Sequence, residues 1–285
     1  MKPVRSPDNK GVRPLFWALF GLVAAAADAH ADLRVTISND AFTDVTPPLD
    51  DSGFTTDLGV AFWRPWHGDQ LGGSLWHRWL TEVGGKRRED LLELFATGER
   101  SWGTPRLLEL TTTVRLGPVF TGNLGGRWMQ NGWHSLTGTG PTLDEGLQHD
   151  YIADRAIGIA GGNRTIGSIG VPEAQAYGVA DIQVALGTGV SSFELAAGGR
   201  LIGRIRCMEL GIHGEVAVAR YAVSDSALAL PGGYGEGAWQ REWRLGVHVA
   251  WRRLMFAYEY RANEGGSGEP IGTVTVTIKQ AGTYF

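Results

Sequence analysis

Side chains able to bind a cation or activate water occur at three positions in the first half of the chain. The first is the Asn39-Asp40 pair, the second is Thr55 with the nearby Asp57, and the third is His134. A histidine can take a proton from water near neutral pH. A carboxylate next to an amide can hold a divalent cation or orient a substrate carbonyl. These residue types therefore suit hydrolytic chemistry, although Asn-Asp is also a common turn sequence and a histidine beside Trp133 is often a packed or surface residue.

A fourth position combines Glu209, His213 and Glu215, which share one face of a single predicted strand. Such a set could be a metal site or an acid–base pair. Charged residues are also normal on the inner wall of a membrane barrel. We interpret these three residues as lining of such a wall.

The elements that would position these residues show a period of two, which is typical of β-strands with two different faces. In one segment the apolar positions are Met208, Leu210, Ile212, Val216 and Val218, and the intervening ones are Glu209, Gly211, His213, Glu215 and Ala217. A second segment alternates Trp243, Leu245, Val247, Val249 and Trp251 with Glu242, Arg244, Gly246, His248 and Arg252. A soluble sandwich and a transmembrane barrel both produce this pattern, so periodicity alone does not choose between them.

The two ends of the chain favour the barrel. Basic residues precede an apolar run from Leu15 to Ala27, and Ala29-His30-Ala31 follows as an A-x-A cleavage site. We therefore predict that residues 1–31 are a cleaved signal peptide, since the run is shorter than the roughly 20 residues of a spanning helix. At the other end the alternating segment from Thr273 to Lys279 precedes a terminal Phe285, which resembles the assembly signal of bacterial barrels.

About twelve strand candidates follow residue 31. They begin near Leu33, Phe54, Leu71, Asp90, Arg106, Tyr151, Gly178, Ser191, Ile205, Gln240, Leu254 and Gly272. An even number suits the closed antiparallel barrels of bacterial outer membranes. The predicted fold is all-β: a single closed antiparallel outer-membrane β-barrel formed by residues 32–285, in the outer membrane of a Gram-negative bacterium.

Composition excludes several other classes. No apolar stretch after Asp32 is long enough for a helical membrane protein. The net charge is −4 and the basic residues are scattered, so the chain lacks the clustered basic residues expected of a nucleic-acid-binding protein. The single cysteine, Cys207, allows no internal disulfide.

Several short blocks resemble, in order, those of the outer-membrane lipid A 3-O-deacylase family (LpxR). They are Ile37-Ser38-Asn39-Asp40, then Asp51 and Phe54-Thr55, then Leu116-Gly117-Pro118 and the run Gln130-Asn131-Gly132-Trp133-His134-Ser135-Leu136-Thr137-Gly138. Phe54 replaces the usual tyrosine of the family, and Asp57 stands where the family has glycine. The blocks cover roughly the N-terminal half of the mature chain.

The resemblance implies a calcium-dependent hydrolase that removes an ester-linked acyl chain from lipid A of lipopolysaccharide. It implies His134 as the general base, Asp40 as a ligand of Ca²⁺ together with Asn39, and Thr55 as a hydrogen-bonding residue of the site. We expect a monomer whose partners are lipid A and the outer membrane. The alternatives are a non-catalytic barrel that binds an envelope lipid or protein, and a narrow pore.

Overall fold

Strands account for almost all of the chain that the computed structural model describes, which comprises residues 31–39, 56–79, 81–83, 86–88, 90–104, 108–122, 156–223, 237, 239–264 and 270–280. They are β1 (Asp32–Asn39), β2 (Thr56–Trp66), β3 (Asp69–Trp79), β4 (Thr81–Val83), β5 (Lys86–Arg88), β6 (Asp90–Thr104), β7 (Leu108–Gly122), β8 (Ala156–Val171), β9 (Ala174–Leu186), β10 (Val190–Ile205), β11 (Met208–Val223), β12 (Trp239–Trp251), β13 (Leu254–Glu264) and β14 (Ile271–Ile278). No helix among these residues is long and apolar enough to cross a membrane.

Twelve of these strands form a closed barrel in which every neighbouring pair is antiparallel. Strand β1 closes it, with Val35 paired to Val276 of β14 on one side and to Val60 of β2 on the other. The remaining two strands, β4 and β5, form a separate small hairpin between β3 and β6. The predicted all-β fold and the closed twelve-strand barrel are therefore confirmed.

The two faces of the barrel wall differ as the alternating segments predict. On β11 and β12 the outward residues Ile212 and Leu245 are exposed, whereas the inward residues Ala217 and Glu242 are each 1% exposed. An apolar outer face suits lipid, because lipid tails cannot hydrate polar groups. One assignment was wrong: Arg252 belongs to the β12–β13 turn rather than to the inner face, and it has a positive φ of 56°.

The two ends of the barrel also differ. At one end, tight turns join β2 to β3, β8 to β9, β10 to β11 and β12 to β13, and β1 begins and β14 ends there. The His67-Gly68 turn has φ angles of 50° and 88°, and two positive values are what a type I′ hairpin turn requires. At the other end most connections are longer, the longest running from residue 123 to 155. Bacterial outer-membrane barrels have short turns on the periplasmic side and long loops on the extracellular side. The end with the tight turns is therefore assigned to the periplasm and the end with the long connections to the cell exterior.

The core lies in the lumen. Inward side chains of six successive strands form one apolar cluster in the half nearer the long connections, made of Leu91, Phe95, Val119, Ala160, Ala185, Val190, Ala219 and Tyr221. A second cluster contains Val179, Ala196 and Ala217. Side chains therefore fill much of the lumen. The predicted signal peptide, apart from Ala31, and the terminal Phe285 lie outside the described residues.

Candidate functional site

Three of the four predicted site residues, all except His134, lie in the sequence at or next to the ends of two adjacent strands. Asn39 is the last residue of β1, where its backbone pairs with Gly272 of β14. One residue earlier, Ser38 pairs with Asp57 of β2, and Thr55 immediately precedes that strand. The end of β1 and the start of β2 therefore lie at the same rim of the barrel, the rim that carries the long connections, and Asp40 and Thr55 adjoin these strand ends in the sequence.

The side chains that would perform the chemistry lie outside the described residues. This applies to Asp40, Thr55 and His134, and for Asn39 only the backbone is described. His134 falls in the connection between Gly122 of β7 and Ala156 of β8, whose ends lie at this same rim. The roles of these residues remain predictions.

Beneath this rim, the first inward carboxylate is already paired. Asp57 Oδ1 accepts a hydrogen bond of 2.8 Å from Arg78 Nε of β3, and both side chains are about one-fifth exposed. Next to it, Thr273 of β14 donates to Ser38 Oγ at 3.0 Å. A carboxylate neutralised by a guanidinium is a poor metal ligand, so Asp57 supports the rim without being free to bind a cation. That Asp40 binds calcium stays a prediction.

The centre of the lumen contains a buried ion network around Arg244 of β12. Its guanidinium donates to Glu194 of β10 at 2.5 and 3.1 Å, to Glu215 of β11 at 2.7 Å and to Glu242 at 2.8 Å. Tyr221 also donates to Glu242, at 3.1 Å, and Arg261 Nε lies 3.6 Å from the same carboxylate. Buried charges persist only when they are paired and hydrogen-bonded, and Arg244 provides that pairing for three carboxylates.

Other contacts cross the lumen between strands that are not neighbours. Gln183 of β9 donates to Glu93 of β6 at 2.9 Å, and Arg115 of β7 donates to Asp181 of β9 at 2.8 Å. Together with the apolar clusters, these contacts link the luminal side chains of strands that are not hydrogen-bonded to each other.

The residues Glu209, His213 and Glu215 have different partners, and Glu209 also lies 3.4 Å from His248 Nε2. Glu215 binds Arg244, His213 Nε2 lies 3.0 Å from Glu259 of β13, and Glu209 binds Arg204 at 3.0 Å. Within the described ranges no group of three or more His, Cys, Asp or Glu residues could hold a metal ion. The geometry supports the interpretation of these residues as lumen lining.

Sequence reasoning placed Glu242 and Arg244 on the inner face but missed their network. An isolated arginine at an inward position of an alternating strand was the available signal, because such a charge requires inward partners. The β4–β5 hairpin was also missed. Each of its strands has only three residues, which is too short for a period to be recognised.

Comparison with known proteins supports the fold. No protein-family model and no curated protein matches the sequence. Among solved structures, LpxR from Salmonella typhimurium has a TM-score of 0.59 at 11% identity, over 87% of this chain and 99% of that chain. The β domain of the Bordetella autotransporter BrkA has a TM-score of 0.48 at 12% identity, over 87% of this chain and 97% of that chain.

The translocator domain of the autotransporter NalP from Neisseria meningitidis has a TM-score of 0.44 at 11% identity, over 95% of this chain and 96% of that chain. At identities this low, the similarity to LpxR shows a common fold. The closed antiparallel barrel, a fold shared with LpxR, locates the protein in the outer membrane of a Gram-negative bacterium.

Proposed function

We propose that this protein is an outer-membrane hydrolase that removes an ester-linked acyl chain from lipid A, with calcium as cofactor. The observation that supports the proposal is that the strand ends flanking the blocks with Asn39-Asp40, Thr55 and His134 all lie at one rim of the barrel. In the orientation that the short turns give, this rim faces the outer leaflet, where lipopolysaccharide resides. The shared fold with LpxR is consistent with this assignment but does not by itself carry the activity.

The proposed residues divide the chemistry between them. His134 would accept the proton of the attacking water, and Thr55 would hydrogen-bond within the site. Asp40 and Asn39 fit calcium because carboxylate and amide oxygens are the ligands this cation prefers. Bound calcium would supply a Lewis acid for the ester carbonyl and for the negative charge that develops on its oxygen.

Two other functions remain as alternatives. A non-catalytic barrel could use the same rim to bind an envelope lipid or protein, and only a test of activity separates it from the hydrolase. A narrow pore would need a continuous aqueous path. The network around Arg244 and the apolar cluster that includes Phe95 and Tyr221 both occupy the lumen, which disfavours the pore.

The activity is tested with purified protein in detergent micelles that contain lipid A, by measuring fatty-acid release with and without calcium. The parent should release fatty acid when calcium is present. His134→Ala should lower the rate about 100- to 10,000-fold, since it removes a general base. Asp40→Asn should lower the rate mainly by weakening calcium binding, so raised calcium should restore part of it. The same addition should not restore His134→Ala, because a cation does not replace a proton acceptor.

A matched control is His213→Ala, which changes a histidine that the structure places in the lumen against Glu259. Its rate should stay within a few-fold of the parent. A loss of about 100-fold in this variant would move the site to β11. If the parent releases no fatty acid with calcium, or His134→Ala is as active as the parent, the hydrolase proposal fails and the lipid-binding barrel replaces it.

A further inference from the structure

Two arginines face outward on the barrel wall, close to the rim with the long connections. Arg220 of β11 and Arg241 of β12 are both exposed, whereas the residues next to them in sequence, Ala219 and Glu242, are buried on the luminal side. Arg220 pairs in register with Trp239, which precedes Arg241 by two residues. The two arginines are therefore diagonal neighbours on the outer face, with their α carbons about 7 Å apart.

Aromatic rings lie beside these arginines on the same face. Phe193 of β10 and Trp239 of β12 both pair in register with Arg220, and their rings meet edge to face with centroids 6.0 Å apart. The Arg220 side chain extends away from this ring pair toward the rim, since its Nη2 would lie 3.9 Å from a Cβ added at Gly237. Aromatic rings that flank charged tips are typical of the girdles at the two interfaces of a membrane barrel.

The height of the two arginines on the wall follows from the length of β12. Trp251, the last residue of this strand, is exposed on the outer face at the short-turn end. Arg241 lies about 33 Å from it along the strand, at about 3.3 Å per residue, which is about 25 Å in height for a tilt near 40°. The apolar band of a bacterial barrel is about 25 Å tall. Arg241 therefore lies at the extracellular edge of the band, and Arg220 lies just beyond it.

The positive charge of this pair has no counter-charge among the side chains that the structure describes. Neither guanidinium forms an ion pair with a described carboxylate. Two like charges on adjacent strands repel each other, and an anion that contacts both removes the repulsion. The guanidinium fork matches the oxygens of a phosphate group, so a pair of forks suits a ligand that carries several phosphate oxygens.

We propose that Arg220 and Arg241 bind the phosphorylated headgroup of one lipopolysaccharide molecule, whose acyl chains lie against the apolar wall below them. Charge and height together select this occupant, because the arginines lie at the headgroup level of the outer leaflet, where lipopolysaccharide resides. Strands β13 and β14 separate this face from the rim at β1 and β2 that carries the proposed hydrolytic site. The lipid-binding site does not depend on the proposed hydrolase activity.

The test is native mass spectrometry of the mature protein released from detergent, without calcium, so that the proposed hydrolysis does not consume the lipid. Diphosphoryl lipid A, the same lipid A without its phosphates, and phosphatidylglycerol, which has a single negative charge, are titrated in parallel. The parent should retain diphosphoryl lipid A at least about tenfold more tightly than the dephosphorylated form, because two basic residues near an anionic lipid act together. Phosphatidylglycerol should be retained less tightly than diphosphoryl lipid A, because one charge does not engage both arginines.

Variants of the two arginines locate the site. Arg241→Gln should weaken retention of diphosphoryl lipid A about fivefold, and Arg220→Gln combined with it about 25-fold. Arg241→Lys, which keeps the charge, should stay within a few-fold of the parent. The matched control is Arg64→Gln, which removes an exposed arginine near the short-turn end of β2 and should have no effect. Glu264→Gln removes the carboxylate of the residue that pairs in register with Arg241, and it should not weaken retention.

Each variant is first checked for folding by heat-modifiable mobility on gels, which should not change because both arginines lie outside the packed lumen. The proposal is overturned if dephosphorylated lipid A or phosphatidylglycerol is retained as tightly as diphosphoryl lipid A. It is also overturned if Arg64→Gln weakens retention as much as Arg241→Gln. A dimer that the double variant abolishes would show that a second copy of the chain covers this face instead. A parent that retains diphosphoryl lipid A through these arginines but releases no fatty acid with calcium supports this site and contradicts only the hydrolase.

Discussion

The change Arg244→Ala tests whether buried charge pairing in the lumen supports the barrel. The Arg244 side chain is 6% exposed, and its three carboxylate partners are between 0% and 14% exposed. Alanine would remove the guanidinium that Glu194, Glu215 and Glu242 share, although Arg261 would stay 3.6 Å from Glu242. Removing one partner of a buried ion pair costs about 3 to 5 kcal/mol, and we expect a loss in this range or above it in the free energy of unfolding.

The assay is equilibrium unfolding by urea in detergent, followed by tryptophan fluorescence and by heat-modifiable mobility. With a slope of about 3 kcal/mol per M, the expected loss moves the midpoint by about 1 to 2 M. Glu215→Gln added to Arg244→Ala should recover part of it, because one of the carboxylates that lost its guanidinium partner is then gone.

The matched control is Arg100→Ala. Arg100 also makes a two-bond pair, with Asp69 at 2.5 and 2.6 Å, but its side chain is 55% exposed. Exposed pairs contribute about 0 to 1 kcal/mol, so this variant should barely move the midpoint. Equal shifts for Arg244→Ala and Arg100→Ala would refute the argument that burial makes the lumen network important.

Further predictions concern the pore, the membrane location and the packed lumen. In planar bilayers the parent should show no steady open-channel conductance, because cross-lumen contacts such as Gln183 to Glu93 fill the barrel; a stable unitary conductance would favour the pore. The mature chain should fractionate with outer membranes and show heat-modifiable mobility, and recovery as a soluble periplasmic protein would contradict the outer-membrane barrel. Phe95→Ala, which truncates a 6% exposed luminal side chain, should lower the free energy of unfolding by about 3 to 5 kcal/mol, whereas Phe256→Ala on the exposed outer face should cost less in the urea assay.

Much of the fold was predictable because each barrel strand has one lipid face and one luminal face. The alternation of Leu245 and Val247 with Arg244 and Gly246 predicts both the strand and its orientation, and the structure confirms both. The predicted strand starts also fall close to the observed ones, such as Leu254 for β13 and Asp90 for β6. Periodicity within each segment is sufficient here because every strand of the barrel wall alternates lipid-facing and luminal residues.

The luminal partners could not be predicted in the same way. Which residue an inward side chain contacts depends on strand register and on the packing across the barrel. Neither can be deduced from the sequence of a single segment. Gln183 and Glu93 are 90 residues apart in sequence, and Arg244 meets Glu194 across an intervening strand. For the rim site the sequence gives residue types and strand ends, and the structure brings the end of β1 beside the start of β2. Whether His134 comes close to them depends on a connection whose sequence shows no periodicity.

Mass spectrometry of lipid A tests the central claim most directly. Lipid A is extracted from cells that express the parent, from cells that express His134→Ala at an equal level in the outer membrane, and from cells without the protein. We predict a species lighter by one ester-linked acyl group in the first sample, and its absence from the other two. Identical spectra in all three samples, with the parent folded in the outer membrane, would contradict the assignment of this barrel as a lipid A hydrolase.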